Sequence, residues 1–464
     1  MTLPADPHIP KKDAPMTDSN ASAQPSPLPP APVVPDPVPL APVPGGGATS
    51  ARGFAAAAVH AGFRKDPQRL DLALVAADGP IPAAATFTRN AFCAAPVIVS
   101  RAHLAETVPS AEAAQPGAPA FGTARAVVVN SGNANAATGE RGIEAACEAA
   151  RIVADALGCP EGEVLVASTG VIGVHLPLDP FKTGVPAVAA ALSREGGADA
   201  ARAIMTTDTR SKECAVAFSG DGIGYPGCTF TVGGMAKGSG MIMPDMATMI
   251  AVLTTDAPLR ADVLHAALAR AVRTSFNKVT VDSDTSTNDS CFLLASGAAA
   301  PADAKPFAPG TPAFAAFEAA LAHVCQSLAR QMAADGEGAT RLVTVTVTGA
   351  ADDADADAAA RAIANSPLVK TAVFGHDANW GRIAMAAGKS GAAFRQQDVS
   401  IDIMGLPVCR GGLTVPFDED EALRRFEQPE CAIAVDLGAG SAATTVWTCD
   451  FSHEYITING DYRT

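Results

Sequence analysis

Three short stretches of this 464-residue chain carry residue types that suit chemistry. The first, "KGSGMIMPDMATMI" at residues 237–250, sets Lys237 ahead of Gly-Ser-Gly and eleven positions before Thr248. A phosphate loop needs Gly-Lys-Ser/Thr in immediate succession, and Lys237 is followed by Gly238, so the nucleotide reading fails. Two readings stay open: an exposed turn lysine, or a cation held on a segment too apolar to leave it in bulk water. The second stretch is "VASTGVIG" at residues 166–173. A glycine after Thr169 lets backbone N–H groups approach a reacting carbonyl, as an oxyanion hole requires; a strand-to-helix turn with a capping hydroxyl is the plainer reading. The third, "IMTTDTRSK" at residues 204–212, gathers threonines around Asp208 and is weak alone.

The elements that must position these residues have α/β texture. "ARAVVVNSGNANAATGERGIEAACEAARIVADALG" reads as a buried strand, a Gly/Asn loop and a long helix. The six residues from Asn130 to Asn135 tolerate left-handed backbone and predict a tight turn at the strand end. Beyond Thr248 the pattern predicts a helix, a strand near Val279 to Val281, and a loop rich in hydroxyls and carboxylates, "DSDTSTND". An amphipathic helix, a Gly-Glu-Gly break at Glu337 and a strand alternating Val343, Val345 and Val347 with threonines follow.

Length predicts two packed units. Hydrophobic residues at 48% support a large core, and the net charge of −15 argues against a nucleic-acid partner, which would need a clustered basic face. The ten cysteines show no CxxC or zinc spacing, so no metal site is expected. Free thiols fit a reducing cytoplasm. No apolar run is long enough to span a membrane, and the N-terminus lacks the hydrophobic core of a signal peptide. Residues 1–50 hold 14 of the 36 prolines and are expected to form a disordered Pro/Ala-rich extension, with Met16 an alternative start.

Taken together the chain resembles the glutamate N-acetyltransferase family, the ornithine acetyltransferases of arginine biosynthesis. The resemblance rests on "VNSGNANAATG", "ASTGVIG", "MTTDT", "GGMAKGSGMIMPDMATM", "VDSDTSTND", "DGEGATRL", "FGHDANWGRIA" and "ITINGDYRT", in that order from about residue 52 onward. It implies a fold of mixed α/β class: a two-sheet sandwich between helical layers, of the ornithine acetyltransferase and self-processing aminopeptidase type, with a smaller α/β domain within about residues 290–400. It also implies self-cleavage between Ala247 and Thr248, giving an α chain of residues 51–247 and a β chain of residues 248–464 that assemble two and two.

Residue by residue, the resemblance makes Thr248 the nucleophile, with its freed α-amine as base, and Thr169 with Gly170 the oxyanion stabilisers. Substrate contacts fall to Thr206 or Thr207, Lys237, Glu337, Asn459 and Thr464. The implied reaction moves acetyl from N-acetylornithine to glutamate, with no cofactor and with acetyl-CoA left open as a co-substrate. Asp245, Ser283 and the pair Val174-His175 depart from the family's usual residues. His376 beside Asp377 invites a triad reading but is expected to be a loop contact. A self-processing threonine amidohydrolase or aminopeptidase of the same fold is the rival class, with water as acceptor.

Overall fold

The computed structural model describes residues 38–108, 120–243 and 249–461. Ala247, Thr248, Asp245 and Thr464 lie outside the described residues, as do residues 1–37.

Chain order is β1 (Ala41–Pro42), β2 (Phe54–Val59), β3 (Leu72–Phe87), α1 (Ala95–Glu106), β4 (Ala120–Asn133), α2 (Gly139–Leu157), β5 (Val164–Val171), α3 (Asp179–Ala190), α4 (Gly197–Ala203), β6 (Lys212–Ser219), β7 (Thr229–Lys237), β8 (Ile250–Thr255), α5 (Ala261–Arg273), β9 (Ser290–Ala295) and α6 (Pro312–Ala334). These strands form one mixed nine-stranded sheet in the order β1-β6-β7-β8-β9-β3-β4-β5, with β2 on the free edge of β3. The sheet folds back on itself through β3, whose register to β4 shifts between Ala76 and Ile81. Leu72 to Ala77 of β3 pair with β2, and Ala83 to Phe87 pair with β9.

Side-chain alternation then builds three layers of core. Ala73, Val75, Val127 and Leu165 from one half meet Met235, Ile250, Val252 and Phe292 from the other in a single internal cluster. The opposite faces are covered by helices: Leu74, Val128 and Val166 pack with α2 and α3, while Ala251, Leu253 and Leu293 pack with α5 and α6. This is the expected sandwich between helical layers. Each fully buried Val, Leu, Ile or Phe in it contributes about 1.5–3 kcal/mol.

A second, six-stranded sheet follows: β10 (Leu342–Ala350), α7 (Asp353–Ala364), α8 (Pro367–Phe374), α9 (Trp380–Gly388), β11 (Ser400–Ile403), β12 (Leu406–Arg410), β13 (Leu413–Thr414), α10 (Glu419–Arg425), β14 (Glu430–Asp436) and β15 (Ala442–Cys449), closed by α11 (His453–Asp461). Val343, Val345 and Val347 point into its core, as their alternation requires. The smaller unit therefore lies further along the chain than 290–400, since Ser290–Ala295 belongs to the first sheet.

Three local readings are corrected. Residues 130–133 are not a turn; they extend β4 along β5, in register to Gly132 with an irregularity at Asn133, and pairing overrides the turn preference of Asn and Gly. Val279 makes only an isolated bridge to Trp447, after a single 3-10 turn at Phe276–Lys278, instead of a strand. The extension does not stay unpacked to residue 50, because β1 pairs with β6 and Ala48 is fully buried. Among the described residues no helix is long and apolar enough to cross a membrane.

Candidate active site

Seven sequence-expected residues, Thr169, Gly170, Thr206, Thr207, Lys237, Glu337 and Asn459, line one cleft of about 730 Å³. They arrive from four regions: the end of β5, the loop after α4, the end of β7, and the turn after α6 with α11 beside it. Met249, the residue after Thr248, lines the same cleft and is 5% exposed.

Both flanks of residues 244–248 are tied to one loop. The Asp282 carboxylate accepts from Met241 N (2.6 Å) and Ile242 N (2.8 Å), and the Thr285 hydroxyl donates to the Met243 carbonyl at 2.9 Å. On the far side Ser290 N donates to the Met249 carbonyl at 2.9 Å. The loop achieves this with Ser283 at φ +67°, a left-handed backbone that suits glycine better.

The Lys237 ammonium, 9% exposed, donates to the Thr169 hydroxyl at 3.3 Å. Burial pulls its pKa below that of an ordinary lysine and Lys212 adds to this, whereas Asp208, Asp289 and Glu337 oppose it. Next to Thr169, Gly170 has φ +133°, and a Cβ there would stand 2.4 Å from the Gly132 carbonyl carbon and 2.6 Å from Asn133 N. Only glycine lets β5 pass this close to β4. The strand ends are braced by Ser168 Oγ donating to Asn130 at 2.6 Å, and by the Asn288 amide donating to the Ala134 and Ser168 carbonyls at 2.5 and 2.9 Å.

Glu337, 8% exposed, accepts from the Asn459 amide at 2.8 Å, and its N–H donates to the Ser239 carbonyl at 2.8 Å. Gly240 leaves room for it, since a Cβ there would sit 2.3 Å from the carboxylate. Thr207 shares a 2.7 Å hydroxyl contact with Ser239, while Thr206 is fixed by its backbone N–H to Asp208 at 3.0 Å.

Beneath the cleft lies a charge cluster that sequence reasoning did not find. Lys212, fully buried, donates to Asp208 at 2.7 Å and to Asp335 at 2.6 Å. Asp208 also accepts from Gly238 N at 2.7 Å. Burial alone would raise the Asp208 pKa, but Lys237 and then Lys212 outweigh it and hold the carboxyl well below the usual range. Asp335 in turn accepts from both the backbone and the hydroxyl of Thr209. One ammonium thus ties the threonine loop, the end of β7 and the turn that carries Glu337. The only sequence signal was Asp208 among its threonines.

His376 is not in the cleft. Its Nε2 lies 2.7 Å from Arg341 Nη2 and its ring stacks on Phe426 at 5.8 Å, so it is the loop contact expected of it.

Chemically, the cleft presents a buried cation beside a hydroxyl and Gly170 at one end, and a carboxylate paired with an amide at the other. That suits a zwitterionic amino acid carrying an acyl group on its α-nitrogen.

The chain is similar along most of its length to proteins of one family. A model described as the ArgJ family matches residues 55–464. The arginine biosynthesis bifunctional protein ArgJ of Symbiobacterium thermophilum is 48% identical over 420 residues, covering 90% of this chain and 99% of that protein. The protein of the same name from Dehalococcoides mccartyi is 45% identical over 422 residues, covering 91% and 98%. Among solved structures, ornithine acetyltransferase complexed with ornithine from Mycobacterium tuberculosis is 39% identical, covers 45% of this chain and 99% of that one, and has a TM-score of 0.39.

Proposed function

This chain belongs to the ArgJ family, and on that premise we propose that it transfers acetyl from N2-acetyl-L-ornithine to L-glutamate through an acetyl-threonine intermediate at Thr248. The observation that carries the reading is the convergence of Thr169, Gly170, Lys237, Glu337 and Asn459 on the cleft that Met249 lines.

The precursor would mature by attack of the Thr248 hydroxyl on the Ala247 carbonyl. The acyl group shifts from nitrogen to oxygen and water releases it, leaving a β chain with a free α-amine. That amine then accepts the hydroxyl proton as Thr248 Oγ attacks the acetyl carbonyl. The oxyanion formed is met by the Thr169 hydroxyl and the Gly170 N–H; one such donor is worth about 2.7–4 kcal/mol. Lys237, 3.3 Å from Thr169, polarises that hydroxyl and attracts the substrate carboxylate. Glu337 receives the side-chain ammonium of ornithine. Collapse of the tetrahedral species expels ornithine, whose nitrogen takes the proton from the Thr248 amine. Glutamate then attacks the acetyl-threonine ester, regenerating the hydroxyl and leaving as N-acetylglutamate.

The test is to incubate processed protein with N-acetylornithine, with and without glutamate. Ornithine and N-acetylglutamate should turn over in equal amounts when glutamate is present, and without it ornithine should stop at one equivalent per active site. Glutamate-independent release of acetate would make the protein an amidohydrolase instead. The same assay with acetyl-CoA as donor decides whether it is a second co-substrate. We further assign the working assembly as two α and two β chains in the cytoplasm; the ten free cysteines support a reducing compartment.

A further inference from the structure

Lys370, on α8 of the smaller unit, is a buried charge that does not line the cleft; it is 2% exposed. Burial draws its pKa below that of an ordinary lysine, with Cys449, Asp450 and Asp282 opposing. Apolar side chains of similar volume often replace buried ions with no loss of stability. Stability alone therefore gives no reason for a lysine at this place.

The reason lies in what the ammonium holds. Its Nζ donates to the Thr448 hydroxyl at 2.8 Å and to the Cys449 carbonyl, and stands 4.4 Å from the centre of the Phe451 ring. The Lys370 carbonyl also accepts from Phe451 N at 3.3 Å. One residue thus grips the chain where β15 gives way to α11. The turn that carries Glu337 rests on the same stretch. A Cβ on Gly336 would stand 2.7 Å from Cys449 Sγ, so this turn lies directly on the residue whose carbonyl Lys370 holds. The Ser452 hydroxyl donates to the Gly338 carbonyl at 2.5 Å, and Phe451 stacks on Tyr455 of α11 at 4.8 Å. Past Glu337, the fully buried Asp450 accepts from Thr340 N at 2.8 Å and from Arg341 N at 3.2 Å. Residues 448–452 therefore seat both members of the bonded pair, Glu337 through its turn and Asn459 through the root of its helix.

We propose that Lys370 is a positioning residue for the acidic end of the cleft: by fixing residues 448–451 it holds the Glu337 carboxylate where the side-chain ammonium of the substrate meets it. The proposal rests on the reading of Glu337 as the group that receives that ammonium. Lys370 itself touches no substrate. Its influence is confined to donors that carry the ammonium, because Thr169, Gly170 and Lys237 at the other end stand on β5 and β7 of the first sheet.

The test compares two donors on processed protein: N-acetylornithine, and N-acetylnorvaline, which is the same molecule without the side-chain amine. Lys370→Met keeps an unbranched apolar stem and removes the ammonium. It should lower kcat/KM for N-acetylornithine about tenfold, within the range that misplacement far from the chemistry can cause, and change N-acetylnorvaline by less than about twofold. In a Glu337→Gln background it should change N-acetylornithine by less than about twofold, because a support has no effect once the group it supports is gone. Phe451→Leu removes the ring beneath the ammonium and keeps the hydrogen bonds of Lys370. It should show the same selectivity at about threefold, and it is read instead if Lys370→Met does not fold. An equal fall on both donors is what general loosening gives, and it overturns the proposal, as does unchanged use of N-acetylornithine. If Glu337→Gln alone has no effect, the reading of Glu337 fails and the proposal with it. If Glu337→Gln lowers N-acetylornithine use and Lys370→Met adds its full effect on top, only the proposal fails.

Discussion

The Asn459 amide donates to the Glu337 carboxylate at 2.8 Å across 122 positions of sequence, so the last helix of the chain closes the acidic end of the cleft. Glu337→Gln removes the charge and keeps the shape. It is expected to lower kcat/KM for N-acetylornithine by about tenfold to a hundredfold, the worth of a charge-assisted contact. The melting temperature should barely move. An unchanged kcat/KM in a folded variant would take Glu337 out of the substrate site.

Thr248→Ala should remain a single chain on denaturing gels, whereas the wild type should yield a fragment whose intact mass begins at Thr248. Thr248→Ser keeps an attacking hydroxyl and should still be cut. Normal cleavage of the alanine variant would displace the nucleophile to another residue.

Thr169→Val removes one oxyanion donor and should lower kcat about a hundredfold to a thousandfold, with KM changed little. Gly170→Ala is a harsher change, because its Cβ meets the Gly132 backbone at 2.4 Å. It should lower stability as well as activity. Were Thr169→Val fully active, the hydroxyl would have no role in the transition state.

The pH profile should have two limbs. Activity rises as the Thr248 α-amine, ordinarily near pKa 7.7–8.0, loses its proton and becomes a base. It falls again as Lys237 deprotonates, below the pH of about 10.4 at which a free lysine would, because burial lowers its pKa. Asp208→Asn removes the negative charge that supports the Lys237 proton and should move the alkaline limb to lower pH. His376→Ala should leave both limbs in place. An alkaline limb that stays put in Asp208→Asn would separate it from Lys237.

Asp208 also carries a stability signature. Its native pKa lies below its unfolded value, so its contribution is full above about pH 3.9 and is lost as pH falls through the native pKa. Asp208→Asn leaves Lys212 paired with Asp335, so it should cost less than the about 3–5 kcal/mol of a buried charge left without any partner, read as a lower melting temperature at neutral pH.

What the sequence could show follows from the range of each signal. Alternation in Val343, Val345 and Val347 and the helix pattern of residues 312–334 are local, and both held. The cleft residues were legible because they sit in motifs whose order the resemblance supplied. Lys212 was not, because no periodicity says that the first residue of β6 will be fully buried between Asp208 and Asp335. Asn130 to Asn133 misled for the opposite reason: their local preference for turns is real, and a parallel neighbour strand outweighs it. Strand order is equally non-local, and nothing in β8 or β9 announces that they enter between β7 and β3.

That insertion changes what kind of event unfolding becomes once the proposed cut is made. β7 and β3 precede Thr248, while β8 and β9 follow it and fill the space between them. The uncut precursor assembles this sheet by a first-order process, with its missing middle always tethered nearby. After the cut, the same middle belongs to a separate molecule that must find its slot by diffusion and enter it from outside. Maturation thereby makes refolding second-order where it was first-order, so the melting temperature of the mature protein should fall on dilution while that of the uncut chain should not.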